Sequence, residues 1–256
     1  MFGIQSTVAH AAIPMLIESS VDYLSKNGSL LWELLINHII VVVDSVWLAL
    51  LIGVPLGTLA TFDDRLGKVI LWTAGILMTI PSIALFGLLI PFVGIGKVPV
   101  VIALVLYAQL PIVRNTYVGL TQVDSATVEA GKGMGMTRRQ RLLRIQLPQA
   151  LPVIMAGVRN AVVILVGIAA IGAYIGANNL GDPIFNGISE AYPAAIIVST
   201  VAVSLLALAF DYGFGVLEQL FRLRNGEDIE QALVTRLIRR SVARTTATNQ
   251  QRRQQA

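Results

Sequence analysis

The chain has 256 residues, 55% of them hydrophobic and 13% charged, with a formal net charge of +4 and a mean hydropathy of +0.73. Soluble domains carry about 25% charged residues; half that fraction, with the apolar residues gathered in blocks, marks an all-α polytopic membrane protein and excludes a basic nucleic-acid binder. The absence of cysteine excludes disulfides, thiolate metal sites and thiol nucleophiles.

The first residues do not form a signal peptide: no cationic segment precedes the weak apolar run at 7–17 and no cleavage site follows it. Residues 1–33 read as a soluble or interfacial extracytoplasmic lead-in, in which His10 is an ordinary surface histidine. Five stretches are then long and apolar enough to cross about 30 Å as helices of about 20 residues. They fall at about 37–61, 68–93, 98–120, 150–175 and 193–220, so that 34–220 forms the transmembrane domain and 221–256 a basic tail. No repeat of 20–50 residues occurs, and an odd number of spans argues against a simple inverted-repeat carrier.

The basic residues orient the chain. Fifteen of the nineteen Lys and Arg fall in the loops after spans one and three and in the tail, while the other side holds only Lys26 and Lys97. This predicts an outside N-terminus, a cytoplasmic C-terminus and a cytoplasmic 121–149 loop. Pro55, Pro81 and Pro111 lie inside spans and are expected to bend them. Gly53/Gly57 and Gly172/Gly176 have the spacing that lets helices approach closely.

Four ionisable residues lie within or near the hydrocarbon zone: Asp44, Arg114, Arg159 and Asp211. Buried charge in a bilayer demands a partner or water, and Asp211 is expected to pair with Arg159 or Arg114. Asp44 lies nearer the outer face, about a turn and a half after His38, and reads as a water-facing structural group rather than part of a proton relay. The 176–192 loop is polar, glycine-rich and mildly acidic through Asp182 and Glu190, a surface suited to an external partner. In the tail, Ile229, Leu233 and Leu237 share a helical face beside Arg236, Arg239 and Arg240, the pattern of a helix lying on an anionic leaflet.

The longest charged break is 124–148, DSATVEAGKGMGMTRRQRLLRIQLP. Asp124 is a good N-cap for a short helix through Ala130; glycines at 131, 133 and 135 end or loosen it. Thr137 to Gln140 reads as a capping box for a second short helix through Leu147, after which Pro148 and Pro152 mark the start of span four. Two short helices on a tight glycine turn form a protrusion, a shape that fits into something. No phosphate-binding loop, HExxH or GxSxG occurs, and the glycines at 131, 133 and 135 neither follow a strand nor complete GxGxxG. Nothing recommends the chain as an enzyme.

Glu129, Ala130 and Gly131, three residues, Gly135, nine residues, then Ile145, Leu147 and Pro148 resemble the EAA loop of the permease subunits of ABC importers. Gly131 stands where that motif usually has alanine. The stretches 80–96, 103–120, 131–142, 147–163 and 175–188 are also similar to permeases of glycine betaine, carnitine, choline and related osmoprotectant importers, a likeness covering about 35–220. The resemblance implies a type I importer fold, with the loop as a coupling helix docked on an ATP-hydrolysing subunit and Glu129 as a polar contact to it. It further implies a second permease copy or paralogue, a separate extracytoplasmic solute-binding protein, and ATP and Mg bound by the partner ATPase, with no cofactor or metal in this chain. An ABC permease for amino acids or another small polar solute, a carrier coupled to protons or sodium through Asp44, Asp211 and the arginines, and a purely structural membrane subunit are the competing readings.

Overall fold

The computed structural model describes the backbone of residues 2–225 and the side chains of 13–225; the basic amphipathic stretch expected at 229–240 lies outside the described residues, as does the His10 side chain. The described residues are helical throughout, with no strand. Helix α1 spans Phe2–Ala60, α2 Asp64–Thr79, α3 Ser82–Val93 and α4 Lys97–Thr121. The short helices α5 (Ser125–Gly133) and α6 (Arg138–Arg141) follow, then α7 (Leu147–Ile171), α8 (Asp182–Ser189) and α9 (Pro193–Arg224).

Packing centres on α4 and α7: α1 lies on α4, α4 on α7 and α7 on α9. In α4, 61% of the most apolar stretch is buried, against 22% in α9, so α4 is the core and α9 faces outward. Apolar side chains gain little by leaving lipid for protein, so contact in a bilayer depends on close approach. Two glycines provide it. A Cβ on Gly57 of α1 would stand 2.5 Å from Thr116 Cβ of α4, and one on Gly157 of α7 would stand 2.7 Å from the Pro111 carbonyl oxygen. The Gly53/Gly57 spacing therefore does serve a helix contact. The Gly172/Gly176 spacing does not: Gly172 lies against Val100, but Gly176 ends a 3-10 turn at φ +83 with open space around it.

Among the described residues four helices are long and apolar enough to cross a membrane, or five if the bent pair α2–α3 counts as one span. The bend expected at Pro81 within the 68–93 span is present and sharp: the axis turns by 98° between Asp64–Thr79 and Ser82–Val93. Pro81 has no N–H to donate and forces Ile80 into an extended conformation, ψ 129. The freed Ile80 carbonyl accepts a hydrogen bond from the Tyr107 hydroxyl of α4, which satisfies backbone that lipid could not. Pro55 and Pro111, by contrast, are contained within continuous helices.

The expected boundary at residue 33 between a lead-in and the first span is not a break in the helix. The apolar helix is continuous over Ile13–Ala60, 48 residues, or roughly 70 Å at 1.5 Å per residue, more than twice what a crossing requires. Its first half is amphipathic. Ile13, Leu16, Ile17, Val21, Leu24, Leu31 and Leu35 recur at helical spacing on one side, and Glu18, Asp22, Ser25, Ser29 and Glu33 are exposed on the other. Lys26 bonds Asp22 one turn back, and Asn27 bonds the Tyr23 carbonyl, so local contacts carry the helix through this polar stretch.

The α1–α4 contact has a direct test. Gly57→Val is expected to lower the stability of the detergent-solubilised protein by about 1–3 kcal/mol through overpacking, read as the midpoint of thermal unfolding. Gly75→Ala in α2, where nothing lies within 4 Å of the new Cβ, is expected to hold or slightly raise that midpoint, since alanine is the better helix former.

Candidate functional site

The segment joining α4 to α7 is built almost wholly from local capping. The Asp124 carboxylate accepts from the N–H groups of Ala126 (3.1 Å) and Thr127 (3.2 Å) and from the Thr127 hydroxyl (2.9 Å), which starts α5. The Thr127 hydroxyl, followed by these two N–H groups, holds the carboxyl below the usual carboxylate range. The cap is therefore charged and complete at neutral pH, and its contribution is lost only as pH falls through that lowered value.

Helix α5 continues past the expected end at Ala130 to Gly133. It stops by a paired cap: Met136 N–H donates to the Gly131 carbonyl (3.1 Å) and Gly135 N–H to the Lys132 carbonyl (3.0 Å), with Gly135 left-handed at φ +76. This is the Schellman arrangement, which places a glycine four residues after the carbonyl that receives the outer bond. The Gly131-to-Gly135 spacing thus follows from cap geometry.

Thr137 then opens the next helix. Its N–H donates to Gln140 Oε1 (2.8 Å) and its hydroxyl accepts from Gln140 N–H (3.3 Å), and Arg141 Nη1 donates to the Met136 carbonyl at 2.7 Å. The second helix does not stop at Leu147 as expected. It runs on as one helix over Arg138–Ile175, 38 residues, through a π turn at Leu142–Gln146. Pro148 cannot donate to the Arg144 carbonyl, and a proline ring crowds an α-helical carbonyl one turn back; the wider turn, in which Leu147 N–H reaches the Leu142 carbonyl, accommodates both.

The residues of the sequence motif take separate tasks. Gly131 is buried, and a Cβ there would stand 2.6 Å from Ile145 Cδ1, so Ile145 locks α5 against the π turn. Leu147 and Pro148 are partly buried at the foot of α7. Ala130 is exposed, and Glu129 is 68% exposed with Lys132 3.6 Å away. Three further residues complete the surface. The Arg138 guanidinium lies 4.2 Å from the centre of the Phe62 ring in the α1–α2 turn, tying the loop to the bundle, while Met134 and Leu143 stand exposed. Large apolar side chains on a polar loop were the signal for a docking surface that the charge pattern alone had obscured.

The intramembrane charges do not form a single cluster. Arg159 holds Asp211 through two parallel bonds, Nε to Oδ1 at 2.6 Å and Nη2 to Oδ2 at 2.7 Å. Glu218, not singled out from the sequence, lies 3.7 Å from Arg159 and 2.9 Å from Arg222. Asp211, Glu218 and Arg222 share one face of α9, and Arg159 of α7 contacts both carboxylates, so opposite charges alternate across the two helices; the one-turn Glu218/Arg222 spacing was its readable trace. Arg114 is exposed on α4 and is not the partner of Asp211. Asp44 pairs with Lys97 at 2.7 Å, whereas His38 is buried and its Nε2 lies 3.1 Å from the Val166 carbonyl. The two groups thus serve different neighbours, an arrangement that does not make a relay.

The fold is that of ABC importer permeases. It is similar to the permease chain of the inward-facing MetNI methionine ABC transporter (TM-score 0.70, 23% identity, covering 77% of this chain and 98% of that one). The chain belongs to the family of binding-protein-dependent transport system inner membrane components, whose model matches residues 53–223. Its relatives include the osmoprotectant import permease protein OsmW of Salmonella typhimurium, 44% identical over 198 residues, covering 75% of this chain and 92% of the relative. They also include the choline transport system permease protein OpuBB of Bacillus subtilis, 40% identical (78% and 92% covered), and the carnitine transport permease protein OpuCB of Listeria monocytogenes, 37% identical (79% and 93% covered).

Two sets of substitutions test the geometry. Gly135→Ala is expected to cost about 1–2 kcal/mol at its left-handed position and to speed amide exchange of Met136, with Gly135→Asn intermediate. Gly131→Ala is expected to be tolerated, because the atom it meets is the terminal methyl of Ile145. A double-mutant cycle of Arg159→Met and Asp211→Asn, read by thermal unfolding, is expected to show coupling of about 0.5–3 kcal/mol, the range for residues in contact.

Proposed function

We propose that this chain is the membrane-spanning permease subunit of an ATP-driven importer of small osmoprotectants with a quaternary ammonium group, such as glycine betaine, choline or carnitine. The observation that carries this reading is the coincidence of two facts. Relatives named for these solutes match three quarters or more of the chain, and the loop between α4 and α7 is a capped, protruding elbow continuous with a membrane helix.

In this reading the 121–149 loop is cytoplasmic, the N-terminus is outside, and the elbow docks on a separate ATPase subunit that binds ATP and Mg. Glu129 makes a polar contact there, while Met134 and Leu143 fill apolar recesses. Ala130, Gly131, Gly135, Ile145, Leu147 and Pro148 hold the elbow's shape. A separate solute-binding protein delivers the solute outside, and a second permease, identical or paralogous, completes the pathway. ATP-driven closure of two ATPase subunits pulls on the elbows and rocks the attached helices, so that access alternates between the two faces.

Reconstitution tests this. Choline or glycine betaine uptake into vesicles is expected to require the ATPase, ATP and the binding protein, and to ignore imposed proton or sodium gradients. Uptake that follows an ion gradient without the ATPase contradicts the reading. Replacing Glu129 and Gly135 together with alanine is expected to abolish uptake while the complex still assembles and hydrolyses ATP.

A further inference from the structure

At the end of the molecule opposite the elbow, α1, the 176–192 segment and the start of α9 enclose a cavity of about 570 Å3. Its apolar lining includes buried Leu34, Pro183, Gly187 and Ala195. Two tyrosines share the wall: the rings of Tyr23 and Tyr192 lie 5.6 Å apart at 74°, forming an aromatic corner. Ala191 takes a left-handed φ of +51, and Tyr192 N–H donates to the Gly187 carbonyl at 2.7 Å; together these turn the chain so that Tyr192 meets Tyr23.

The charge on the wall is negative. Among the described residues, Asp22, Asp182 and Glu190 line the cavity with one cation, Lys26, and Lys26 is held by Asp22 at 2.8 Å. Asp182 accepts from the Asn179 N–H at 2.6 Å, and among the described residues neither it nor Glu190 forms an ion pair with a cation of the wall. A primary amine is recognised by acceptors converging on its N–H groups. A quaternary ammonium group has no N–H, and is recognised by aromatic faces within a negative field. The cavity offers the second arrangement.

We propose that this cavity is a receiving subsite for a small organic cation with a quaternary ammonium head, held against Tyr23 and Tyr192 with Asp182 and Glu190 supplying the opposing charge. The inference rests on the osmoprotectant reading and extends it: part of the solute selectivity lies in this chain, at its outer mouth, and not in the binding protein alone.

The test uses the intact permease–ATPase complex in lipid nanodiscs, without the binding protein, and radiolabelled choline as probe. The expected result is saturable binding for which tetramethylammonium competes and sodium does not. The pair Tyr23→Ala and Tyr192→Ala is expected to weaken it about tenfold and Glu190→Gln a few-fold, while Tyr192→Phe stays within about twofold. Basal ATP hydrolysis, unchanged in each variant, reports an intact complex. No saturable binding by the wild type, or full affinity in the double tyrosine variant, overturns the proposal. So does a double variant that loses binding-protein docking but keeps its choline affinity, which assigns the surface to protein docking. Choline uptake by the complete wild-type importer is read separately: uptake without tyrosine-dependent binding rejects the subsite alone, whereas failure of both rejects the osmoprotectant reading with it.

Discussion

Pro148 sits where a polar loop becomes a membrane helix, and it has no N–H to donate one turn back. Most helices end or kink at such a residue. Here the chain widens into a π turn over Leu142–Gln146 and continues, so that Arg138–Ile175 is one helix of 38 residues. The link between the α4–α7 segment and the membrane bundle depends on that continuity. Helix α5 meets the start of this helix through the Gly131–Ile145 contact, and from there the helix runs into the membrane bundle without a break. The caps at Asp124, Gly135 and Thr137 serve the same end, because each satisfies the terminal N–H and C=O groups of short helices that could not persist alone.

The bundle supplies what such a lever must act against. Gly57 and Gly157 bring α1 and α7 into backbone contact with the enclosed α4, and the Arg159–Asp211 pair joins α7 to the outward-facing α9. Motion of α7 is therefore carried by packed helices on both sides. The ion pair lies on partly exposed faces of its helices, so α9 is tied to α7 by charge as well as by contact; lipid alone would be a poor neighbour for that pair.

The features legible in the sequence were those with a local or strongly costly signature. Apolar length located the spans, Asp124 and Thr137 announced their caps, and Gly135 announced its turn. The expense of isolated charge singled out Arg159 and Asp211 together. What could not be read depended on geometry between segments. Pro81 shows in the sequence as a bend, but a 98° turn requires the Tyr107 hydroxyl of α4 to satisfy the opened backbone. The π turn has no residue signature of its own; it is the chain's response to Pro148 in a helix held at both ends. The first half of α1 did carry the period of an amphipathic helix, and its serines and charges masked it. Tyr23 and Tyr192 are far apart in sequence, and only folding makes them a corner.

The central claim is that the elbow moves α7 as a rigid unit. The most direct measurement is the number of choline molecules imported per ATP hydrolysed by the reconstituted importer, comparing the wild type with a variant carrying Arg144→Gly and Gln146→Gly, both in the π turn. The two glycines cost about 1 kcal/mol each in helical stability and loosen only the join. The account predicts that hydrolysis stays within about twofold of the wild type while choline per ATP falls about tenfold or more. An unchanged ratio would contradict it.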